Sequence, residues 1–335
     1  MAAAKGTARV LKKLEKSVQD GNFYEAHQMY RTVANRYVKS HTYGEAIELL
    51  YSGAMLLLKK EQYGSGSDLA IYLVEVYVQA KIPVSDETRD RIFDLADLMG
   101  KEVAQRKKFL QNAISWSASN EYPNGDPLLQ HYLGVKFWKE KDFPQAEAHL
   151  LVGTQESAEA LGLALFEWSE QEPQHDKGAY LLRGVLQVLA MKNLRDANTV
   201  FRTFVDLLPV NYKAGEARLA EGVAAHANTS VRSLQTYRSS LINLAQLLLL
   251  ACQTGNPIMY KQLAAKYKPV LAIDENFGAL LVTVGELFFD VRAPRQVNAL
   301  ADLMNSLFSG PPAPSSNTGN RINASRAQPA IEEMD

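Results

Sequence analysis

The feature that most constrains this chain is a helix start that recurs. Four times a short polar turn is followed by a large apolar residue and, three positions on, by alanine: Phe23 and Ala26, Tyr43 and Ala46, Phe143 and Ala146, Leu194 and Ala197. The turns that precede them are Asp20-Gly21-Asn22, Ser40-His41-Thr42, Lys141-Asp142 and Lys192-Asn193. A large residue at that place can plug between two antiparallel helices, and the alanine lets the next helix approach closely. The first two starts lie 20 residues apart, which fits one helix and a turn, so helix pairs would repeat at roughly 40 residues. That is the logic of a tetratricopeptide-like α-solenoid. The full repeat consensus is absent, so the array is expected to be irregular.

The rest of the body agrees. Leu69, Leu73, Val76 and Tyr77, and again Ile92, Leu95, Ala96 and Met99, follow one-face helical spacing. No run of alternating β-branched residues lies between hairpin turns, so no sheet is expected. Breakers such as Asp20-Gly21, Gly64-Ser65-Gly66, Ile82-Pro83, Pro123 to Pro127, Gln171-Glu172-Pro173, Gly255-Asn256-Pro257 and Ala293-Pro294 divide the body into about 14 to 15 helices of roughly 12 to 20 residues. The fold class expected is therefore all-α, an irregular solenoid. A segment rich in Pro, Gly and Ser follows from Gly310, with no aromatic after Phe308. It cannot bury enough apolar area to offset its ordering entropy and is expected to be a disordered tail, residues 310–335.

One stretch resists the pattern. Pro209 to Arg232 carries few large apolar residues. It reads either as an inserted excursion that helps hold a partner, which is the favoured reading, or as a weak Ala-rich helix over Gly215 to Ala227.

Charge and chemistry narrow the function. Lys plus Arg number 36 against 37 Asp plus Glu, a balance that argues against a polyanion binder. No phosphate-binding loop, zinc-protease helix or nucleophile elbow is present, and Gly64-Ser65-Gly66-Ser67 lacks the lysine a phosphate cradle needs. The six histidines are scattered. Asp94 and Asp97 share a helix face and read as ordinary solvated acids. The single cysteine, Cys252, falls in a leucine-rich run and reads as a small buried hydrophobe. With no apolar leader at Met1 to Gly6 and no apolar run near the ~20 residues of a spanning helix, the chain is expected to be cytosolic. Asn228-Thr229-Ser230 and Asn323-Ala324-Ser325 would then be chance sequons.

What remains suits protein partners. Up to Lys39 there are eight basic residues against three acidic ones, either a solvated amphipathic face or an electrostatic dock for an acidic protein surface. Nucleic acid is not expected, because aromatics do not interleave with the basic residues. On the helix from Phe23 the core positions would be Phe23, Ala26, Met29 or Tyr30, and Val33. Tyr24, His27, Gln28 and Arg31 then form a separate stripe of hot-spot composition. Asp68 and Glu75 sit seven apart on one helix, so they either offer paired carboxylates to a basic partner or are exposed acids, with Asp68 favoured by the helix dipole. Near the C-terminal end Phe288, Phe289, Leu307 and Phe308 are much apolar surface for the end of a solenoid, which suggests a stable partner or terminal packing.

Asp20 to Gln28 resembles a signature of the Golgi-to-ER traffic protein 4 family. The similarity continues through Asn35-Arg36-Tyr37, Ala46 to Leu49, Ser52-Gly53-Ala54, Gly64 to Leu69, Leu73 to Tyr77, Gly125-Asp126-Pro127, Leu248 to Gln253, Phe288 to Val291 and Pro294-Arg295-Gln296. It covers roughly residues 8–308. The resemblance implies a non-enzymatic α-solenoid that needs no cofactor and bridges the targeting ATPase of tail-anchored membrane proteins to a ubiquitin-like adaptor protein. It implies an N-terminal half, residues 1–150, that holds the ATPase and prefers its nucleotide-bound closed dimer. Substrate delivered by a tetratricopeptide co-chaperone would then pass to the ATPase. Tyr24, His27, Gln28, Arg31 and Arg36 would bind the ATPase, and Asp68 and Glu75 would modulate its hydrolysis. A C-terminal half, residues 151–309, would hold the ubiquitin-like partner around Phe288, Phe289, Val291, Leu303, Leu307 and Phe308, helped by the inserted loop. In metazoa a large scaffold also joins. Direct membrane insertion is not implied. The rival expectation is a generic tetratricopeptide-like scaffold for peptide tails of other partners.

Overall fold

The computed structural model describes residues 2–218 and 233–291. Among them are fourteen α-helices and one pair of strands. The first group of helices is α1 (Ala2–Gln19), α2 (Phe23–Lys39), α3 (Tyr43–Lys59), α4 (Tyr63–Gln79), α5 (Asp86–Asp97), α6 (Arg106–Ser117) and α7 (Pro127–Lys139). Then come α8 (Phe143–Leu150), α9 (Glu156–Gln171), α10 (Lys177–Ala190), α11 (Leu194–Asp206), β1 (Lys213–Arg218), β2 (Ser233–Tyr237), α12 (Ser240–Thr254), α13 (Pro257–Leu271) and α14 (Glu275–Phe289). The all-α class holds. The expected tail, residues 310–335, lies outside the described residues, and so do Leu303, Leu307 and Phe308.

The recurrent start is real. Phe23, Tyr43, Phe143 and Leu194 are the first residues of α2, α3, α8 and α11, and the four alanines that follow are fully buried. A fifth start, Tyr63 with Gly66, escaped the pattern because glycine replaces alanine. The backbone explains the 20-residue spacing. Helices α2, α3 and α4 are each 17 residues long, and a three-residue turn leads into each of them. The middle residue of the turn is left-handed: Gly21, His41 and Glu61 have φ of 83°, 58° and 59°, and Lys81, at the start of the six-residue link from α4 to α5, has 52°. In the second of these turns Thr42 N–H donates to Tyr37 C=O at 2.9 Å and His41 N–H to Val38 C=O at 3.0 Å. The same pair of bonds recurs around Glu61, Lys81, Lys141 and Lys192. This double bond pattern satisfies carbonyls that a helix end leaves open, and it reverses the chain in three residues.

With such short turns each of α1, α2 and α3 packs on the next helix and on the next but one. Glycines set the closest approaches. A Cβ on Gly66 of α4 would lie 2.7 Å from Leu58 Cγ of α3, and one on Gly53 would lie 2.7 Å from the Tyr30 ring. Polar bonds then tie alternate helices. Tyr51 Oη donates to Asp94 at 2.5 Å, Tyr132 Oη to Asp97 at 2.5 Å, and Arg183 Nε to Glu147 at 2.8 Å. Asp94 and Asp97 are thus inter-helix acceptors rather than merely solvated acids. The two core clusters run from Leu14 to Leu133 and from Ala146 to Val284, and half-buried Phe137 packs on both. In the second, α10 lies against α9, α11, α12 and α14, and is apolar nearly all round, as a central helix must be.

Two expectations are corrected. Gly64-Ser65-Gly66 is no breaker: it forms the first turn of α4. And a sheet does occur, the antiparallel ribbon β1–β2, which pairs Lys213 with Tyr237 and Arg218 with Ser233. This also removes the helical alternative for Gly215 to Arg218; residues 219–232 lie outside the described residues. The ribbon is fixed at its base rather than by a buried face. Tyr237 is buried and set edge-on to Phe201 at 6.4 Å, and its backbone exchanges bonds with the Asn243 side chain at 2.9 and 2.7 Å. With one buried residue the strands show no apolar alternation, which is why the pattern missed them. No described helix is long and apolar enough to cross a membrane.

A candidate docking face on α2 and α4

Helix α2 carries Glu25 in its first turn and Arg36 and Lys39 in its last, charges that suit its dipole. Its buried stripe is Ala26, Tyr30, Ala34 and Val38, so of the two core candidates Tyr30 is the deep one. Burial pushes the Tyr30 hydroxyl up to about 12, with the Glu15 charge adding to the effect. This leaves Tyr24, His27, Gln28 and Arg31 along one side, where α4, the next helix but one, lies beside them. Tyr24 is 77% exposed, so its ring is open to contact.

The two helices meet through Asp68. Its Oδ2 accepts from His27 Nε2 at 2.8 Å and from Arg31 Nη1 at 2.5 Å. A carboxylate oxygen only accepts, so Nε2 is the protonated nitrogen of that ring. Burial would raise the Asp68 carboxyl, but the bonds and charges of Arg31 and His27 outweigh it and hold it below the usual carboxylate range. The Arg31 guanidinium also lies over the Tyr72 ring, 5.4 Å from its centre. Helix dipole plays no part, since α4 starts at Tyr63 and Asp68 lies beyond its first turn. Glu75, two turns further on, is exposed and takes no hydrogen bond or ion pair among the described residues.

The stripe and both acids therefore lie on one shallow groove, which Gly64, Tyr72, Gln105 and Lys108 also line. Sequence reasoning missed these four. Tyr72 and Gly64 were legible as helical neighbours of Asp68. Gln105 and Lys108 were not, because they come from the start of α6, which packs on α4. Arg36 is not part of the groove; it is exposed and stacks over Tyr37 at 5.7 Å.

At the other end Phe288, Phe289 and Val291 are half-buried against the second core. Phe289 stacks on Tyr260 at 4.8 Å, and Asp290, with φ 52°, ends α14. Val282 and Leu287 of that helix are 40% and 37% exposed. The described residues hold no cluster of acids, His or Cys fit for a metal. The Cys252 thiol is buried, which pushes it up to about 12 and leaves it a poor nucleophile.

Comparison with known proteins bears on this arrangement. The chain is 33% identical over 316 residues to Golgi to ER traffic protein 4 of Aspergillus fumigatus, with 90% of each chain covered. It is 31% identical over 307 residues to the human Golgi to ER traffic protein 4 homolog, covering 91% of this chain and 86% of that one. The crystal structure of C. therm. Get4 superposes with a TM-score of 0.79 at 33% identity, over 94% of this chain and all of that one. The family model of Golgi to ER traffic protein 4 matches residues 40–308, and the chain belongs to that family.

Proposed function

We propose that the chain is a non-enzymatic adaptor in the cytosolic targeting of tail-anchored membrane proteins to the endoplasmic reticulum, in the traffic between Golgi and ER that its relatives' names describe. Its N-terminal half docks the targeting ATPase and adjusts its ATP hydrolysis. Its C-terminal half holds a ubiquitin-like adaptor, through which the tetratricopeptide co-chaperone is reached indirectly. Membrane and nucleic acid are not its ligands. The observation that carries this reading is the convergence of Tyr24, His27, Arg31, Asp68 and Glu75 on one open groove. The groove is shallow and presents an exposed aromatic, an arginine and acids, which is protein-recognition chemistry rather than a pocket for a small substrate. For the C-terminal half, the half-buried Phe288 and Phe289 with exposed Val282 and Leu287 supply the apolar surface.

The test uses the full chain. Its affinity for the purified ATPase is measured by calorimetry with and without a non-hydrolysable ATP analogue, at two salt concentrations, and ATP turnover is followed as the chain is added. Nucleotide-dependent binding that weakens with salt, together with a changed turnover, is expected. A folded chain that binds in no nucleotide state would overturn the reading.

A further inference from the structure

We propose that the groove between α6 and α8 is a second binding site, and that it takes an acidic peptide segment carrying an apolar anchor. The inference goes beyond the docking reading above and does not rest on it. Helix α6 stands between two grooves: Gln105 and Lys108 line the one beside α4, whereas Arg106 and Lys107 line this one. It holds about 560 Å³, a volume within the range of ligand sites.

Charge and floor together select the occupant. The first turn of α6 reads Arg106-Lys107-Lys108-Phe109, with no acid in it, and the side chain of its N-cap, Gln105, makes no capping bond. A helix dipole is positive at that end, so three cations stand where an anion is favoured. Folding does not ask for Lys107 there: it is exposed and takes no hydrogen bond or ion pair among the described residues. A local rule broken with no structural gain marks a functional residue. Arg106 supplies the independent sign. It is 6% exposed, its Nη2 donates to both oxygens of Glu140, and its Nε is buried with no hydrogen-bond partner. A buried donor left open costs free energy that an incoming acceptor restores. The two acids that line the groove are already engaged. Glu140 is held by Arg106, and Asp142 accepts from the Gln145 backbone at the start of α8. Beside the cations, Leu110, Ile114 and Phe137 give an apolar floor. A carboxylate of the segment pairs with Lys107, an oxygen faces Arg106, and an apolar side chain fills the floor. An inorganic anion would leave that floor empty.

The test uses the full chain and an array of fluorescein-labelled decapeptides in which a pair of glutamates and a pair of leucines are set at varied separations. Binding is read by anisotropy at physiological salt. At least one peptide should bind saturably, and replacing its glutamates by glutamine, or its leucines by serine, should weaken it about tenfold in each case. Lys107→Glu should weaken the same peptide about tenfold. Lys108→Glu, the same change of charge one residue on, should alter it less than twofold, because that side chain lines the other groove. Lys107→Glu should also raise the urea midpoint, since it sets an acid in the first turn of a helix, so that lost binding is not lost folding. In the NMR spectrum the Arg106 Nε–H signal should move as the peptide is added. Four results overturn the proposal. No peptide of the array binds below millimolar concentration; or glutamates without leucines bind as well as the pair, which marks bulk charge only; or the two lysine variants weaken binding equally; or the Nε–H signal stays in place at saturation.

Discussion

Two glycines in the first turn of α4, two residues apart, should respond to the same substitution with opposite signs. A Cβ built on Gly64 meets nothing within 4 Å. One built on Gly66 lies 2.7 Å from Leu58 Cγ, 2.9 Å from its Cδ2 and 3.0 Å from its backbone nitrogen, where carbon contacts settle at about 3.5 to 4.0 Å. A leucine tip can turn aside, but the backbone nitrogen of α3 cannot, so α4 must move off α3. Alanine in place of glycine within a helix gains up to about 1 kcal/mol, somewhat less in a first turn. For Gly64→Ala that gain stands alone, about 0.5 to 1 kcal/mol. For Gly66→Ala it is set against overpacking of about 2 to 3 kcal/mol, a net loss of about 1 to 2 kcal/mol. Urea unfolding followed by circular dichroism should therefore move the midpoint up for the first variant and down for the second, with unchanged slope. A neutral or stabilised Gly66→Ala would refute the close approach of α3 and α4. A destabilised Gly64→Ala would show that this glycine serves the free chain, whereas the groove it lines points to room left for a partner; the stabilised variant should then bind the ATPase more weakly.

The left-handed turn residues offer a second test. Glu61→Gly and Lys81→Gly should each stabilise by about 0.5 to 1 kcal/mol, read by urea titration, because a strain of ~1 to 2 kcal/mol exceeds the ~0.4 to 1 kcal/mol that glycine's freedom costs. Arg106 is 6% exposed, bonds the Glu140 carboxylate at 2.8 and 3.0 Å and lies over Phe137; Arg106→Met should cost about 1.5 to 3 kcal/mol, since it removes charged hydrogen bonds and leaves that acid only Lys136, 3.8 Å away, and an unmoved midpoint would deny the pair that role. Burial lowers the His149 imidazole below its ordinary 6.5, Asp142 opposing only in part, so the folded state prefers the neutral ring. Stability is then present above pH 6.5 and lost as pH falls from there through the folded value, and His149→Gln should flatten that limb of a stability-against-pH curve. Tyr24→Ala, at an exposed site, should leave the midpoint within about 0.5 kcal/mol while weakening ATPase binding, and equal loss of both would make Tyr24 a structural residue.

Part of this molecule could be read from residues alone, and the physical reason is the same wherever it could. Helix starts at Phe23, Tyr43, Phe143 and Leu194 were legible because a packing demand, large residue then small, leaves a mark in composition. The turns between them were legible only as polar breaks. Their left-handed residue is His, Glu or Lys at five of the turns, so the glycine that usually marks such a turn is missing. Gly64-Ser65-Gly66 misled for the converse reason: the second glycine is there for close approach of helices, not for a bend. The ribbon left no mark, since a single buried residue at its end, Tyr237, and that residue's bonds to Asn243 hold it.

The docking face shows what a fixed frame adds to sequence spacing. His27 and Asp68 are 41 residues apart and Arg31 and Asp68 are 37 apart, distances at which a stripe on one helix and an acid on another look unrelated. In a frame of 17-residue helices and three-residue turns, the helix after next returns beside residue n the residue about 40 further on. The same return joins Tyr51 to Asp94 and Arg183 to Glu147, 43 and 36 apart. At Glu147, which is buried, the bond lies inside the helix stack; on α2 and α4 it falls on the open side, where Arg31 and Asp68 stay half-exposed. One packing rule thus yields a structural tie or a surface ion pair according to which way the helix face is turned. A docking surface could arise in such an array by changing a few exposed side chains, with the frame that places them left as it was.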